Sequence, residues 1–140
     1  MRIPTLCKNL AYHVFNRAIS KKTIYKDLED YNFFKLRIEQ YKKKYDVEVI
    51  SYCIMPNHYH LIIRSSKGAK NISKFMKCLQ QSYSRKFNFK YEHSGHVFQG
   101  AYKHVPIKSN LELARVIQYI AENPVKAGLV KRAEDWPHSG

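Results

Sequence analysis

His58 and His60 stand two residues apart in the run Met55-Pro56-Asn57-His58-Tyr59-His60-Leu61-Ile62-Ile63. The alternation and the β-branched content of this run predict a strand. Residues two apart on a strand point to the same face, so the two imidazoles project side by side, with Cα atoms roughly 6–7 Å apart. Two imidazoles at that spacing can hold one divalent cation and leave positions for a third ligand, a phosphate oxygen and water. Tyr59 points to the opposite face and cannot join them. An ordinary pair of half-buried histidines is the other reading of the same spacing.

A second group with reactive potential lies near the end of the chain. Ser109-Asn110-Leu111-Glu112 has the S-x-x-E form of a capping box and predicts a helix start. The helix is expected to end at about Asn123, because Pro124 disfavours helical geometry in the residue before it. Leu113, Val116, Ile117 and Ile120 form its apolar stripe. Tyr119 and Asn123 lie together along one border of that stripe, one turn apart, about 6 Å along the axis. A phenol and a carboxamide are thus presented at the margin between core and solvent. Beside a two-histidine metal, Asn123 Oδ1 can serve as third ligand. Tyr119 can serve as a nucleophile toward phosphorus, storing the bond energy of a phosphodiester as a phosphotyrosine. From helix geometry alone, an amphipathic tyrosine at a core edge is the favoured account of Tyr119.

The elements that must position these groups follow from patterning. Ala11 to Asn16 predicts a first strand. Asp27, Glu29 and Asp30 suit the N-terminus of a helix whose Phe34, Ile38, Tyr41 and Tyr45 face the core, with Lys42-Lys43-Lys44 near its end. Val47 to Ile54 predicts a second strand, turned at Met55-Pro56-Asn57 into the His58 strand as a hairpin. Ser65 to Lys70 is expected as a loop, followed by a helix with the stripe Ile72, Phe75, Met76, Leu79 and Tyr83. Asn88 to Gly95 is expected as a loop, and Tyr102 to Ile107 as the last strand. The order β-α-β-β-α-β-α is satisfied most economically by an α+β, ferredoxin-like split β-α-β antiparallel sheet, with helices on one face and an added C-terminal helix.

The chain has 140 residues, 44% of them hydrophobic, which fits one folded domain over residues 1–140. Its 25 Lys and Arg against 11 acids give a formal net charge of +14, a field that favours polyanions, nucleic acid first. The 11 Tyr, 7 Phe and single Trp interleaved with that charge suit the exposed bases of single strands. Arg17, Arg64, Lys74, Lys77 and Lys103 are candidate DNA contacts. Cys7, Cys53 and Cys78 are widely spaced, without zinc-like clustering, and are expected as free thiols. No apolar run reaches membrane-spanning length and no signal-peptide core is present, so a cytoplasmic location without a membrane partner is expected.

Taken in order, the chain's motifs resemble the single-tyrosine HUH transposases, and especially the REP-associated tyrosine transposases. The resemblance rests on Tyr12-His13-Val14-Phe15-Asn16-Arg17, on Cys53-Ile54-Met55-Pro56-Asn57-His58-Tyr59-His60-Leu61, on Gly95-His96-Val97-Phe98-Gln99-Gly100-Ala101-Tyr102-Lys103, and on Tyr119-Ile120-Ala121-Glu122-Asn123-Pro124-Val125-Lys126-Ala127-Gly128-Leu129-Val130. It implies a ferredoxin-like catalytic domain that cleaves single-stranded DNA at hairpin-forming ends and transfers the strand. It implies His58 and His60 as metal ligands, Asn123 at the position of the third polar ligand, and Tyr119 as catalytic nucleophile. It also implies Mg²⁺ or Mn²⁺ as cofactor, a 5′-phosphotyrosine intermediate, and action as a monomer or a homodimer. Ala18 departs from the glycine usual after Arg17, and Ala101 from the arginine that commonly precedes Tyr102. Relatives often continue past the position of Gly140 with a tail that contacts DNA.

Two further readings compete with the enzyme. One is a non-catalytic module of the same fold that binds structured nucleic acid, favoured by charge without an acidic metal cluster. The other, a zinc hydrolase built on the two histidines, lacks a His or Cys at third-ligand spacing. His13 and His104, in predicted strands, are expected as packed or surface imidazoles.

Overall fold

Alternation and helical periodicity translate into the expected order of elements in a computed structural model, which describes residues 9–140. Cys7, one of the expected free thiols, lies outside the described residues. Strand β1 (Ala11–Arg17) leads through a 3-10 turn at Ile19–Lys21 into helix α1 (Leu28–Lys44). Strands β2 (Glu48–Met55) and β3 (His58–Arg64) form the hairpin, followed by helix α2 (Ala69–Lys90), strand β4 (Lys103–Ile107) and helix α3 (Asn110–Lys126). The four strands lie in the order β2-β3-β1-β4, and every neighbouring pair is antiparallel. β3 therefore splits the β1-α1-β2 unit and β1 splits the β3-α2-β4 unit, the ferredoxin-like arrangement.

Both faces of the sheet are covered. Helices α1 and α2 pack on one face, with Phe34, Ile38, Ile72, Phe75 and Leu79 against Tyr12, Val14, Tyr59, Leu61 and Ile63. Helix α3 covers the other, with Ile120, Leu113, Val116 and Ile117 against Ala11, Cys53, Met55, Ile62 and Ile107. This explains why Leu61-Ile62-Ile63 is apolar without a break, as a strand buried on both sides must be. The Asp27 side chain caps α1 by accepting from the Asp30 amide, and Lys42, Lys43 and Lys44 occupy its last turn, each charge matched to its helix end. Tyr41 and Tyr45 pack against the core while remaining partly exposed.

Two helix ends differ from expectation. α2 runs through Asn88 to Lys90, because Phe87 extends the apolar stripe one turn beyond Tyr83 and is itself buried. α3 does not stop at Asn123 but continues through Pro124 to Lys126. Proline there removes one hydrogen bond in the final turn only. The helix is then closed by Leu129 N–H donating to Pro124 O (2.9 Å) and Gly128 N–H to Val125 O (3.0 Å). This is a Schellman closure, and its left-handed residue is Gly128 at φ +76°.

Residues 138–140 lie along the outer edge of β2. Ile54 N–H donates to His138 O (2.9 Å), and Tyr52 exchanges both backbone bonds with Gly140 (2.8 and 3.0 Å). Trp136 Nε1 donates to Ile54 O at 3.1 Å, and the His138 ring stacks on Tyr31 at 3.7 Å. The outward backbone groups of Tyr52 and Ile54 are thereby satisfied within the chain. Among the described residues no helix is long and apolar enough to cross a membrane.

Candidate active site

The pleat of β3 places His58 and His60 on the face covered by α3, while Tyr59 turns into the opposite core and donates to Gln80 Oε1 at 2.6 Å. The two imidazole centroids are 5.1 Å apart, with the rings nearly perpendicular. Asn57 Oδ1 can only accept, so His58 Nδ1–H donates to it at 2.7 Å and His58 Nε2 is left with a free lone pair. Asn123 reaches His60 from α3, its amide 3.0 Å from His60 Nε2. On the other side of the same ring, His60 Nδ1 and His13 Nε2 are 2.9 Å apart.

Burial keeps these imidazoles uncharged. His60, only 7% exposed, is held down to about 3 by desolvation first, with His58 and His13 adding to it. Desolvation also lowers His58 and His13 from their ordinary value. The neutral imidazole is the form that ligates metals.

Tyr119 stands on α3 one turn before Asn123. Its ring meets His60 edge-on at 6.1 Å between centroids and His13 at 6.4 Å. It is 49% exposed, so its hydroxyl is open to a substrate. The Lys126 ammonium lies 5.3 Å from the centre of the Tyr119 ring, within range of a cation–π contact. His58, His60, Tyr119 and Asn123 line a single open cleft of about 580 Å³ with Phe15, Asn57, Gln99, Arg17, Lys21 and Lys103.

Of the five candidate DNA contacts, Arg17 and Lys103 line this cleft, and Arg17 Nε donates to Gln99 Oε1 at 2.8 Å. Arg64 lies at the far end of β3 in an ion pair with Glu48 at 2.9 Å. Lys74 and Lys77 project from α2, which packs on the opposite face of the sheet. His13, expected as a packed or surface imidazole, is packed, and its packing partner is the His60 ring. The register of β1 on β3, which sets His13 opposite Ile62 and Phe15 opposite His60, creates that contact. Lys21, Gln99 and Asn57 also belong to the cleft and were not singled out by type or spacing. Asn57 alone carried a usable signal, its place beside His58.

The donor set fits a divalent cation. Among the described residues no three His, Cys, Asp or Glu side chains converge as a metal group. What converges is two neutral imidazoles and a carboxamide. Ligands at about 2.1 Å on adjacent corners of an octahedral ion stand about 3.0 Å apart, the separation found between His60 Nε2 and the Asn123 amide. A half-turn of that amide exchanges its nitrogen for Oδ1.

The chain matches the model of the IS200-like transposases over residues 7–123. It is 32% identical over 123 residues to a Haemophilus influenzae protein that carries the provisional name REP-associated tyrosine transposase, covering 80% of this chain and 69% of that one. It is 24% identical over 109 residues to the REP-associated tyrosine transposase of Escherichia coli, covering 78% of this chain and 63% of the other. Among solved structures, it aligns with a REP-associated tyrosine transposase bound to a REP hairpin, with a TM-score of 0.77 at 20% identity over 99% of this chain and 80% of that one. It also aligns with a Deinococcus radiodurans protein provisionally assigned as a transposase, with a TM-score of 0.56 at 20% identity over 86% of this chain and 95% of the other. With its fold, its motifs and these relatives in agreement, the chain belongs to the IS200-like transposase family, on the side of the REP-associated tyrosine transposases, enzymes that cleave and transfer DNA.

Proposed function

We propose that this protein is a metal-dependent endonuclease and strand transferase that acts on single-stranded DNA flanking a hairpin, through a 5′-phosphotyrosine intermediate. The observation that carries this reading is the convergence of His58, His60, Asn123 and Tyr119 on one cleft whose rim holds Arg17, Lys21 and Lys103. His58 Nε2, His60 Nε2 and Asn123 Oδ1 would hold Mg²⁺ or Mn²⁺. The carboxamide oxygen suits either ion, and the imidazoles favour the transition ion Mn²⁺ over the harder Mg²⁺. Such a cation supplies Lewis-acid polarisation of a non-bridging phosphate oxygen.

The chain's own groups do the rest. Arg17, Lys21 and Lys103 hold the anionic backbone across the cleft. Tyr119 Oη loses its proton and bonds to phosphorus while the P–O3′ bond breaks and the departing 3′ oxygen takes up a proton. The products are a 5′-phosphotyrosine and a free 3′-hydroxyl. In the reverse sense, an incoming 3′-hydroxyl attacks the phosphotyrosine, restores the phenol and seals the strand without ATP. The Tyr119 ring packs 6.1 Å from the His60 ring, and on that proximity we assign the nucleophile and the imidazoles to the same subunit. A hairpin is the proposed recognition element because the solved relative is bound to a REP hairpin.

The test is a cleavage and joining assay with end-labelled oligonucleotides carrying a hairpin and a single-stranded flank, in Mn²⁺ or Mg²⁺. The expected products are a cut in the flank with a 3′-hydroxyl end, and a joined strand when a second flank is supplied. Equal cleavage in EDTA contradicts the metal role. Equal cleavage of an unstructured strand contradicts the hairpin.

A further inference from the structure

His60 is gripped from both sides, and only one of those grips comes from α3. Its Nε2 faces the Asn123 amide at 3.0 Å, and its Nδ1 faces His13 Nε2 at 2.9 Å. The rings of His13 and His60 meet edge to edge across that bond, with centroids 5.1 Å apart and planes 28° from parallel. His13 lies on the central strand β1, held between β3 and β4, so its ring is fixed by sheet register and not by a loop. Phe15, on the same face, tilts against both rings, 4.8 Å from His13 and 5.9 Å from His60 between centroids.

The hydrogen-bond inventory decides the tautomer. An imidazole that offers Nε2 as a lone pair must carry its proton on Nδ1 if it is to stay neutral. The Asn123 Nδ2 group can only donate, so His60 Nε2 accepts and the His60 proton sits on Nδ1. That proton is donated to His13 Nε2, which therefore accepts, and the His13 proton sits on its own Nδ1. The same assignment holds when Asn123 Oδ1 faces a cation, because ligation through His60 Nε2 also needs that lone pair free. His58 receives the equivalent service from Asn57 Oδ1, an atom that can only accept.

We propose that His13 is a positioning residue for metal binding: it accepts the His60 Nδ1 proton and so holds His60 in the tautomer and ring orientation that present Nε2 to the cation. The inference rests on the metal reading of the cleft. Outer partners of this kind typically change metal affinity by about 10- to 100-fold when removed.

The experiment measures Mn²⁺ affinity by electron paramagnetic resonance of free Mn²⁺, on the whole chain without DNA, for wild type, His13→Phe, His13→Gln and His58→Ala. Thermal unfolding of each metal-free variant is measured in parallel. The expected result is binding by wild type, weakening by about 10- to 100-fold in His13→Phe, and recovery of most of that loss in His13→Gln, whose amide oxygen can accept the same proton. His13→Phe and His13→Gln are expected to melt alike, so the difference between them is not one of folding. Wild-type affinity in His13→Phe overturns the assignment while leaving the metal reading intact. Equal weakening in His13→Phe and His13→Gln also overturns it. No binding by wild type, or full binding by His58→Ala, sinks the metal reading itself and this assignment with it.

Discussion

His60 on β3 and Asn123 on α3 meet at 3.0 Å, although 63 residues separate them in the chain. The contact joins the sheet to the helix that carries Tyr119, so the phenol and the imidazole pair are held in one frame. Ile120, the residue after Tyr119 on α3, is fully buried against the sheet and anchors that frame.

Asn123→Ala removes the amide and leaves His60 Nε2 without its partner. Loss of one such bond costs about 0.5–1.5 kcal/mol of stability. If Asn123 is the third ligand we propose, function loses more: metal-supported cleavage is expected to fall by about tenfold or more, by analogy with partners of metal ligands. Chemical denaturation alongside a cleavage time course separates the two effects.

Ile120→Ala acts through packing alone. Truncating a fully buried isoleucine typically costs about 2–5 kcal/mol. The melting temperature is expected to drop by several degrees, and cleavage to fall with it as α3 loosens. A melting curve within a degree of wild type contradicts the docking of α3 on the sheet through Ile120.

The basic residues divide by position. Arg17 and Lys103 line the cleft, whereas Lys74 and Lys77 lie on the opposite layer. Replacing a phosphate-contacting cation by Gln weakens single-strand binding and flattens its salt dependence by about 0.7 in log K against log salt. Arg17→Gln and Lys103→Gln are each expected to do this in anisotropy titrations over a salt series. Lys74→Gln and Lys77→Gln are expected to leave the slope for a short single strand unchanged.

Acid destabilises the fold in a stated window. His138, stacked on Tyr31, accepts from the Lys35 ammonium at 2.8 Å, and burial followed by Lys35 holds it at about 4. His60 is held at about 3, chiefly by burial. In the unfolded chain both titrate near about 6.5. Below that value the unfolded state binds more protons, so stability is full above pH 6.5 and declines as pH falls toward 4 and beyond. Melting temperatures measured from pH 7.5 to 4.5 are expected to fall along this range. His138→Phe, which keeps a ring on Tyr31 but cannot titrate, is expected to make the decline shallower.

Local pattern carried the strand faces and the helix stripe. The split of His58, His60 and Ile62 from Tyr59, Leu61 and Ile63 is a two-residue period, and the pairing of Tyr119 with Asn123 is a helical one. Both periods are written within single elements. His13 was not readable in this way, because it reaches His60 only through the register of β1 on β3. Lys21 and Gln99 enter the cleft where the chain around Ala18 bridges to Phe98, a long-range backbone contact with no side-chain signature. The pairing of residues 138–140 with β2 is likewise made by backbone groups. Pro124 misled for a different reason: a proline in the last turn sacrifices one bond, and the Gly128 closure makes the helix end stable beyond it.

The central claim is that Tyr119 attacks phosphorus. A denaturing gel of the protein with labelled hairpin DNA and Mn²⁺, followed by peptide mass spectrometry of the shifted band, tests it most directly. The account predicts a covalent protein–DNA species whose nucleotide is carried on Tyr119, abolished in Tyr119→Phe while hairpin binding in a native gel persists. An adduct that forms undiminished in Tyr119→Phe, or that maps to another residue, contradicts it.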